Sequence, residues 1–117
     1  MSVVMKPQVA NSPVANSSTS GKDVALPAAA AGPPLVPAFA LLYSQDPGTF
    51  PQFSDGYYAI IQNTGTINLE IMFNNDGSGI VIYPSATFEC ALSKGVNVWV
   101  SNVSTTTAGA IKAVVFA

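Results

Sequence analysis

The sequence predicts an all-β protein: a small antiparallel β-sandwich of about seven strands, jelly-roll or immunoglobulin-like, preceded by an extended N-terminal arm. Three observations predict it. Between Tyr57 and Ser101 apolar and polar residues alternate, the side-chain period of a strand. Turn-forming groups such as Asn63-Thr64-Gly65 and Lys94-Gly95 punctuate that alternation at short intervals. Residues 1–37, by contrast, show no such pattern and are dominated by Ala, Ser, Val, Pro and Asn.

Residues 1–37 contain a direct repeat, Val9-Ala10-Asn11-Ser12-Pro13 followed by Val14-Ala15-Asn16-Ser17-Ser18. A segment without large apolar residues at regular spacing cannot bury enough surface to offset its ordering entropy, so it reads as an arm, disordered or extended on its own. Two fates are open to it: crossing onto a neighbouring subunit, or folding back on its own sandwich. The Ala28-Ala29-Ala30-Ala31 run is bounded too closely by Pro27 and Gly32-Pro33-Pro34 for a stable helix.

Residues 38–117 read as the sandwich. Ala38 to Ser44 forms the first strand, with Phe39, Leu41 and Tyr43 in one phase. Gln45 to Gly56 is a long loop of turn residues with Phe50 and Phe53 among them. Further strands follow at Tyr57 to Asn63, Ile67 to Phe73, Ile80 to Tyr83, Thr87 to Ser93, Val96 to Ser101 and Ala108 to Ala117. Asn74-Asn75-Asp76-Gly77-Ser78 reverses the chain as a hairpin turn; it lacks the further carboxylates and the terminal Glu of an EF-hand calcium loop.

The strand phases assign Leu69, Ile71, Phe88, Cys90, Leu92, Val96, Val98, Val100, Ile111, Ala113 and Val115 to the inside. The opposite phase still carries Met72, Tyr83, Trp99, Val114 and Phe116, our candidate oligomer-interface residues. A sheet facing water on one side normally alternates cleanly, so a second apolar set points to packing against another subunit, unless bulges turn some of these side chains into the same core.

Composition narrows the partners. Apolar residues make up 49% of the chain and charged ones 9%, a scarcity that suits a surface covered by other chains or a Ser/Thr/Asn-rich exterior. With four lysines, no arginine and a net charge of -2, no basic patch exists to neutralise phosphates, so nucleic acid is not an expected partner. Prolines 27, 33, 34 and 37 interrupt the apolar stretch from Val24 to Leu42, so no membrane span is expected. The start, Lys6-Pro7-Gln8 and an Asn/Ser stretch, does not read as an export signal.

Catalytic equipment is sparse. Histidine and arginine are absent, which removes the usual proton shuttle and guanidinium clamp. Cys90 lies in strand phase between Phe88 and Leu92 and reads as a small core residue, while Asp46, Asp55, Glu70, Asp76 and Glu89 are scattered without paired spacing. No catalytic residue, metal ligand or cofactor is expected. Asn16-Ser17-Ser18 and Asn102-Val103-Ser104 match the glycosylation tripeptide, a match of little weight without an export signal. The aromatic set Tyr43, Phe50, Phe53, Tyr57, Tyr58 and Trp99 suits either packing or a sugar-stacking platform, so a lectin-like role stays open.

At Ile61-Gln62-Asn63-Thr64-Gly65, Tyr83-Pro84-Ser85-Ala86-Thr87-Phe88 and Val98-Trp99-Val100-Ser101-Asn102 the chain resembles the small β-sandwich modules of tailed-bacteriophage virion proteins, capsid decoration or cement proteins above all. The resemblance covers residues 57–117 and rests on patterns of turn and strand. It implies a non-enzymatic protein on the outer surface of the virion, a homotrimer whose arm lies on the major capsid protein. Val3, Val4, Val9, Val14, Val24, Leu26 and Leu35 would supply the arm's apolar contacts. Head-tail adaptor and fibre-anchoring proteins share the same resemblance.

Overall fold

A computed structural model describes residues 19–74 and 79–117. It is all-β, with strands β1 (Thr19–Leu26), β2 (Ala38–Tyr43), β3 (Tyr58–Asn63), β4 (Leu69–Phe73), β5 (Gly79–Ile82), β6 (Thr87–Ala91), β7 (Val98–Asn102) and β8 (Gly109–Phe116). Two four-stranded antiparallel sheets form the sandwich, the first ordered β1-β8-β3-β6 and the second β2-β7-β4-β5.

The pairing is nested. β1 pairs with β8, β2 with β7, β3 with β6 and β4 with β5, as in one long antiparallel ribbon bent back on itself. Rolling that ribbon sets β8 beside β3 and β7 beside β4, which completes the sheets. This connectivity is a jelly roll. An immunoglobulin-like sandwich would instead put its first, second, fourth and fifth strands in one sheet.

The alternation read from the sequence builds the core. Leu69, Ile71, Leu92, Val98, Val100, Ile111, Ala113 and Val115 are all buried between the sheets, with Phe88, Cys90 and Val96 packed partly against them. Full burial of each large aliphatic side chain contributes about 1.5–3 kcal/mol relative to exposure. Gly109 lets the sheets close at β8, since a Cβ there would lie 2.7 Å from Leu69 Cδ2. Gly56, with φ +152°, plays the same part before β3: a Cβ would sit 2.3 Å from Val115 Cγ1.

Three features differ from the sequence expectation. The first is β1, because Thr19–Leu26 falls inside the range assigned to the arm. It is an edge strand of the first sheet, with Val24 opposite Ile111 and Leu26 opposite Gly109. Val24 and Leu26 are 8% and 0% exposed, so these two belong to the sandwich core and are unavailable to a partner. The stretch after β1 is also held down: Ala29 N–H donates to Ser104 O (2.7 Å), and Ala30 and Val36 exchange two backbone hydrogen bonds. The described part of the arm therefore folds back on its own sandwich. Val3, Val4, Val9 and Val14 lie outside the described residues, as do Asn75 to Ser78 of the turn between β4 and β5.

The second difference is a bulge in β2. Its register against β7 shifts between Leu41 and Tyr43, which takes Tyr43 out of phase with Phe39 and Leu41. Tyr43 is consequently 1% exposed in the core, while Phe39 stays on the outer face at 47%. Third, Met72 and Phe116, expected at an interface, are each 5% exposed within the single chain.

Candidate interaction surfaces

The five residues proposed for an oligomer interface divide among three places. Met72 on β4 and Trp99 on β7 are directly opposed in register, on the outer face of the second sheet. Val114 and Phe116 lie on β8, on the outer face of the first sheet. Since packed sheets are about 10 Å apart and these faces point away from each other, the two pairs cannot share one patch. Tyr83 follows β5 at the sheet edge and is 61% exposed.

The second sheet's outer face is the more apolar. Leu41 and Met72 flank Trp99 from the neighbouring strands, and Phe39 meets it edge to face with ring centroids 6.3 Å apart and planes at 83°. Val81, 43% exposed, extends the patch onto β5. Glu70 is the only charged residue in the four strands of this sheet. Met72, in register with Trp99, is 5% exposed at this outward position. Trp99 Nε1 is itself buried and has no hydrogen-bond partner among the described residues. A buried polar group without a partner costs about 1–3 kcal/mol.

The first sheet's outer face is mixed. Phe116 packs against Tyr58 with centroids 5.9 Å apart and planes tilted by 49°. The Tyr58 hydroxyl donates to a Glu89 carboxylate oxygen. That hydrogen bond, then desolvation and the nearby negative charge, push the phenol above its ordinary value. Lys112 stands between Asp23 on β1 and Gln62 on β3, so charge and amide interrupt the apolar positions. Phe116 is therefore a packing residue of its own sheet.

The four sheet edges are unequally protected. A segment of the β2–β3 loop covers part of β2, with Gln52 N–H donating to Leu41 O (3.0 Å) and Phe53 N–H to Leu42 O (2.8 Å). β1 carries Lys22 in the inward phase and Asp23 in the outward one, and β6 carries Glu89. Charges of this kind discourage further strand pairing. β5, Gly79–Ile82, has neither charge nor proline, and Ile80 and Val81 are 48% and 43% exposed.

Cys90 is half-buried on β6, and burial pushes its thiol above the ordinary value, which suppresses the nucleophilic thiolate. Among the described residues no group of three or more His, Cys, Asp or Glu is placed to hold a metal ion. Asn102 is fully buried, with its side-chain amide donating to two backbone carbonyls, so the tripeptide it begins is closed to glycosylation in the folded protein. The aromatic set does not assemble into one platform: Tyr43 and Phe53 are core, Tyr58 and Trp99 face opposite ways, and Phe50 is 93% exposed. Leu35, of the expected arm contacts, is 44% exposed.

Sequence reasoning missed Phe39, Leu41 and Val81 as members of the second sheet's patch. Phe39 and Leu41 had been legible only as one phase of a strand, and which phase faces outward depends on the bulge that follows. The fold and surface together define an eight-stranded jelly-roll domain with one apolar sheet face and two uncharged edges, of which β2 is partly covered by the β2–β3 loop. No protein family, curated protein or solved structure matches this chain.

Proposed function

We propose that this protein is a non-enzymatic virion structural protein, a capsid decoration or cement protein that self-associates as a homotrimer and binds major capsid subunits on the outer surface of the head. The observation that carries it is the outer face of the second sheet, where Phe39, Leu41 and Met72 neighbour Trp99, Val81 extends the apolar face onto β5, and Glu70 is the one charged residue in the four strands. Such a patch, continuous with the uncharged β5 edge, suits burial against another subunit. Jelly rolls occur in viral capsid proteins and also in lectins and cupins, so the fold adds an analogy and no more.

The capsid-binding role falls to residues 1–18, which precede β1, and to Leu35; Val24 and Leu26 are excluded by burial. A segment of that length spans about 55 Å when extended at ~3.1 Å per residue, enough to cross a subunit boundary.

The test has two arms. Native mass spectrometry of the full chain should give a trimer, and a monomer at micromolar concentration would remove the self-association. Removing residues 1–18 should leave a folded sandwich that no longer decorates empty heads of the virus encoding it. Undiminished occupancy of the truncated protein on those heads would refute the arm's role.

A further inference from the structure

We infer that Val3–Lys6 of one copy pairs antiparallel with β5 of a neighbouring copy, adding a fifth strand to that copy's second sheet. The inference rests on the self-association proposed above and names a contact that holds it.

β5 ends the second sheet, and among the described residues no strand pairs with its outer side. Alternate residues of such a strand point their N–H and C=O groups away from the sheet, where a further strand takes them up. The core is also open here. Ile80 stands in the inward phase opposite Ile71, which is 0% exposed, yet Ile80 itself is 48% exposed. An apolar side chain on an added strand beside Ile80 would cover it. On the outer face Gly79 has no side chain, and Glu70 Oε1 occupies the space its Cβ would need. The one charged residue of the sheet's four strands therefore reaches its free edge.

The segment that precedes β1 matches this edge. Residues 1–18 carry one charged side chain, Lys6. Setting Lys6 opposite Gly79 brings its ammonium beside Glu70 and puts Val4 opposite Val81 on the outer face. The same register sets Met5 opposite Ile80 and Val3 opposite Ile82 on the inner face. Apolar side chains then meet apolar neighbours, and the two charges meet each other. A slip of one residue would turn Lys6 inward. Pro7 ends the strand, since it has no N–H for a ladder and favours extended backbone at Lys6.

Residues 7–18 span about 37 Å when extended at ~3.1 Å per residue, enough to reach a subunit seated on the second sheet's outer face. Val81 belongs both to that face and to β5, so such a neighbour lies beside the edge. Passing the segment from each copy to the next closes a ring, as a trimer requires, and leaves residues 7–18 for the capsid.

Sedimentation equilibrium and hydrogen exchange, both on the full chain, test the pairing. Val3→Asp sets a carboxylate beside Ile82, and Lys6→Glu sets one beside Glu70. Each should weaken self-association by about tenfold or more and speed exchange of the β5 amides by a similar factor. Lys6→Glu combined with Glu70→Lys should restore both, which loosening of the arm alone would not do. Failure of that rescue overturns the pairing. Trimers that persist in Val3→Asp with β5 exchange unchanged overturn it too, and leave self-association to the Trp99 face. A monomeric parent whose β5 amides lose protection in Val3→Asp would show the arm on its own β5, which overturns pairing between copies. A monomeric parent with fast-exchanging β5 amides overturns both this inference and the trimer.

Discussion

Asn63 and Asn102 occupy matching corners of the two sheets and perform the same task. Each ends an interior strand, β3 in one sheet and β7 in the other, and each is 0% exposed. Asn63 Nδ2 donates to Ile67 O (2.7 Å) and Ile82 O (2.8 Å), while its Oδ1 accepts from Gly65 N–H (3.0 Å). Asn102 Nδ2 donates to Thr107 O (3.0 Å) and Pro27 O (3.0 Å), and its Oδ1 accepts from Ser104 N–H (2.9 Å). Each amide therefore closes its own turn and ties down the end of an edge strand of the opposite sheet, β5 for Asn63 and β1 for Asn102. Side-chain amides suit this because one end donates twice while the other accepts.

Replacing either asparagine by alanine leaves two carbonyls and one N–H without their partner. Asn63→Ala and Asn102→Ala should each destabilise the fold by at least about 1–3 kcal/mol, the usual cost of orphaned buried polar groups. Urea unfolding followed by circular dichroism should show a lower midpoint at unchanged slope. A midpoint equal to the parent's would mean that these bonds do not brace the edge strands.

The placement of β1 separates two truncations. Removal of residues 1–18 should leave thermal unfolding within a few degrees of the parent, whereas removal through Leu26 should abolish the cooperative transition. At single-residue level, Leu26→Ala should cost about 2–5 kcal/mol and Leu35→Ala less than about 0.5 kcal/mol. Equal effects of the two alanines would argue against Leu26 being core.

On the outer face of the second sheet, Phe39→Asp places a charge beside Trp99 at a position 47% exposed. Sedimentation equilibrium should show self-association weakened by about tenfold or more, with the unfolding midpoint little changed. Phe116→Asp should behave the other way, lowering stability first, because its ring is packed on Tyr58. Oligomer loss in the Phe116 variant alone, with Phe39→Asp indistinguishable from parent, would move the interface to the first sheet.

The Tyr58 phenol should titrate above its ordinary value, and Glu89→Gln should bring it back toward that value. Its raised value in the folded state means the associated stability is present below the unfolded value, about 10, and is lost as pH rises through the folded one. Ultraviolet titration of the tyrosines at alkaline pH, parent against Glu89→Gln, reads this directly. An unchanged titration curve in the variant would show that the Glu89 hydrogen bond does not control the phenol.

Strand identity was largely legible in the sequence, because period-two alternation is a local property. Leu69/Ile71, Val98/Val100 and Ile111/Ala113/Val115 each announce a face within a few residues, and all are buried as that pattern requires. β1 was not legible, since in Thr19–Leu26 the inward phase holds Ser20 and Lys22 before it reaches Val24 and Leu26. Its strand character comes from β8, a partner distant in sequence, whose Ile111 and Gly109 meet Val24 and Leu26 in register.

The surfaces were legible only in part, for a related reason. Trp99 was correctly placed in the outward phase, but nothing local showed that Phe39, Leu41 and Met72 would gather around it while Phe116 joined Tyr58 on the other sheet. By itself the sequence determined an all-β chain, the phase of most strands and the scarcity of charge, since each is written in neighbouring residues. Only the tertiary structure decided the jelly-roll order, the capture of β1 and the division of apolar residues between two opposed faces. Those depend on which distant strands pair, and backbone hydrogen bonds carry no sequence label until side-chain packing selects the register.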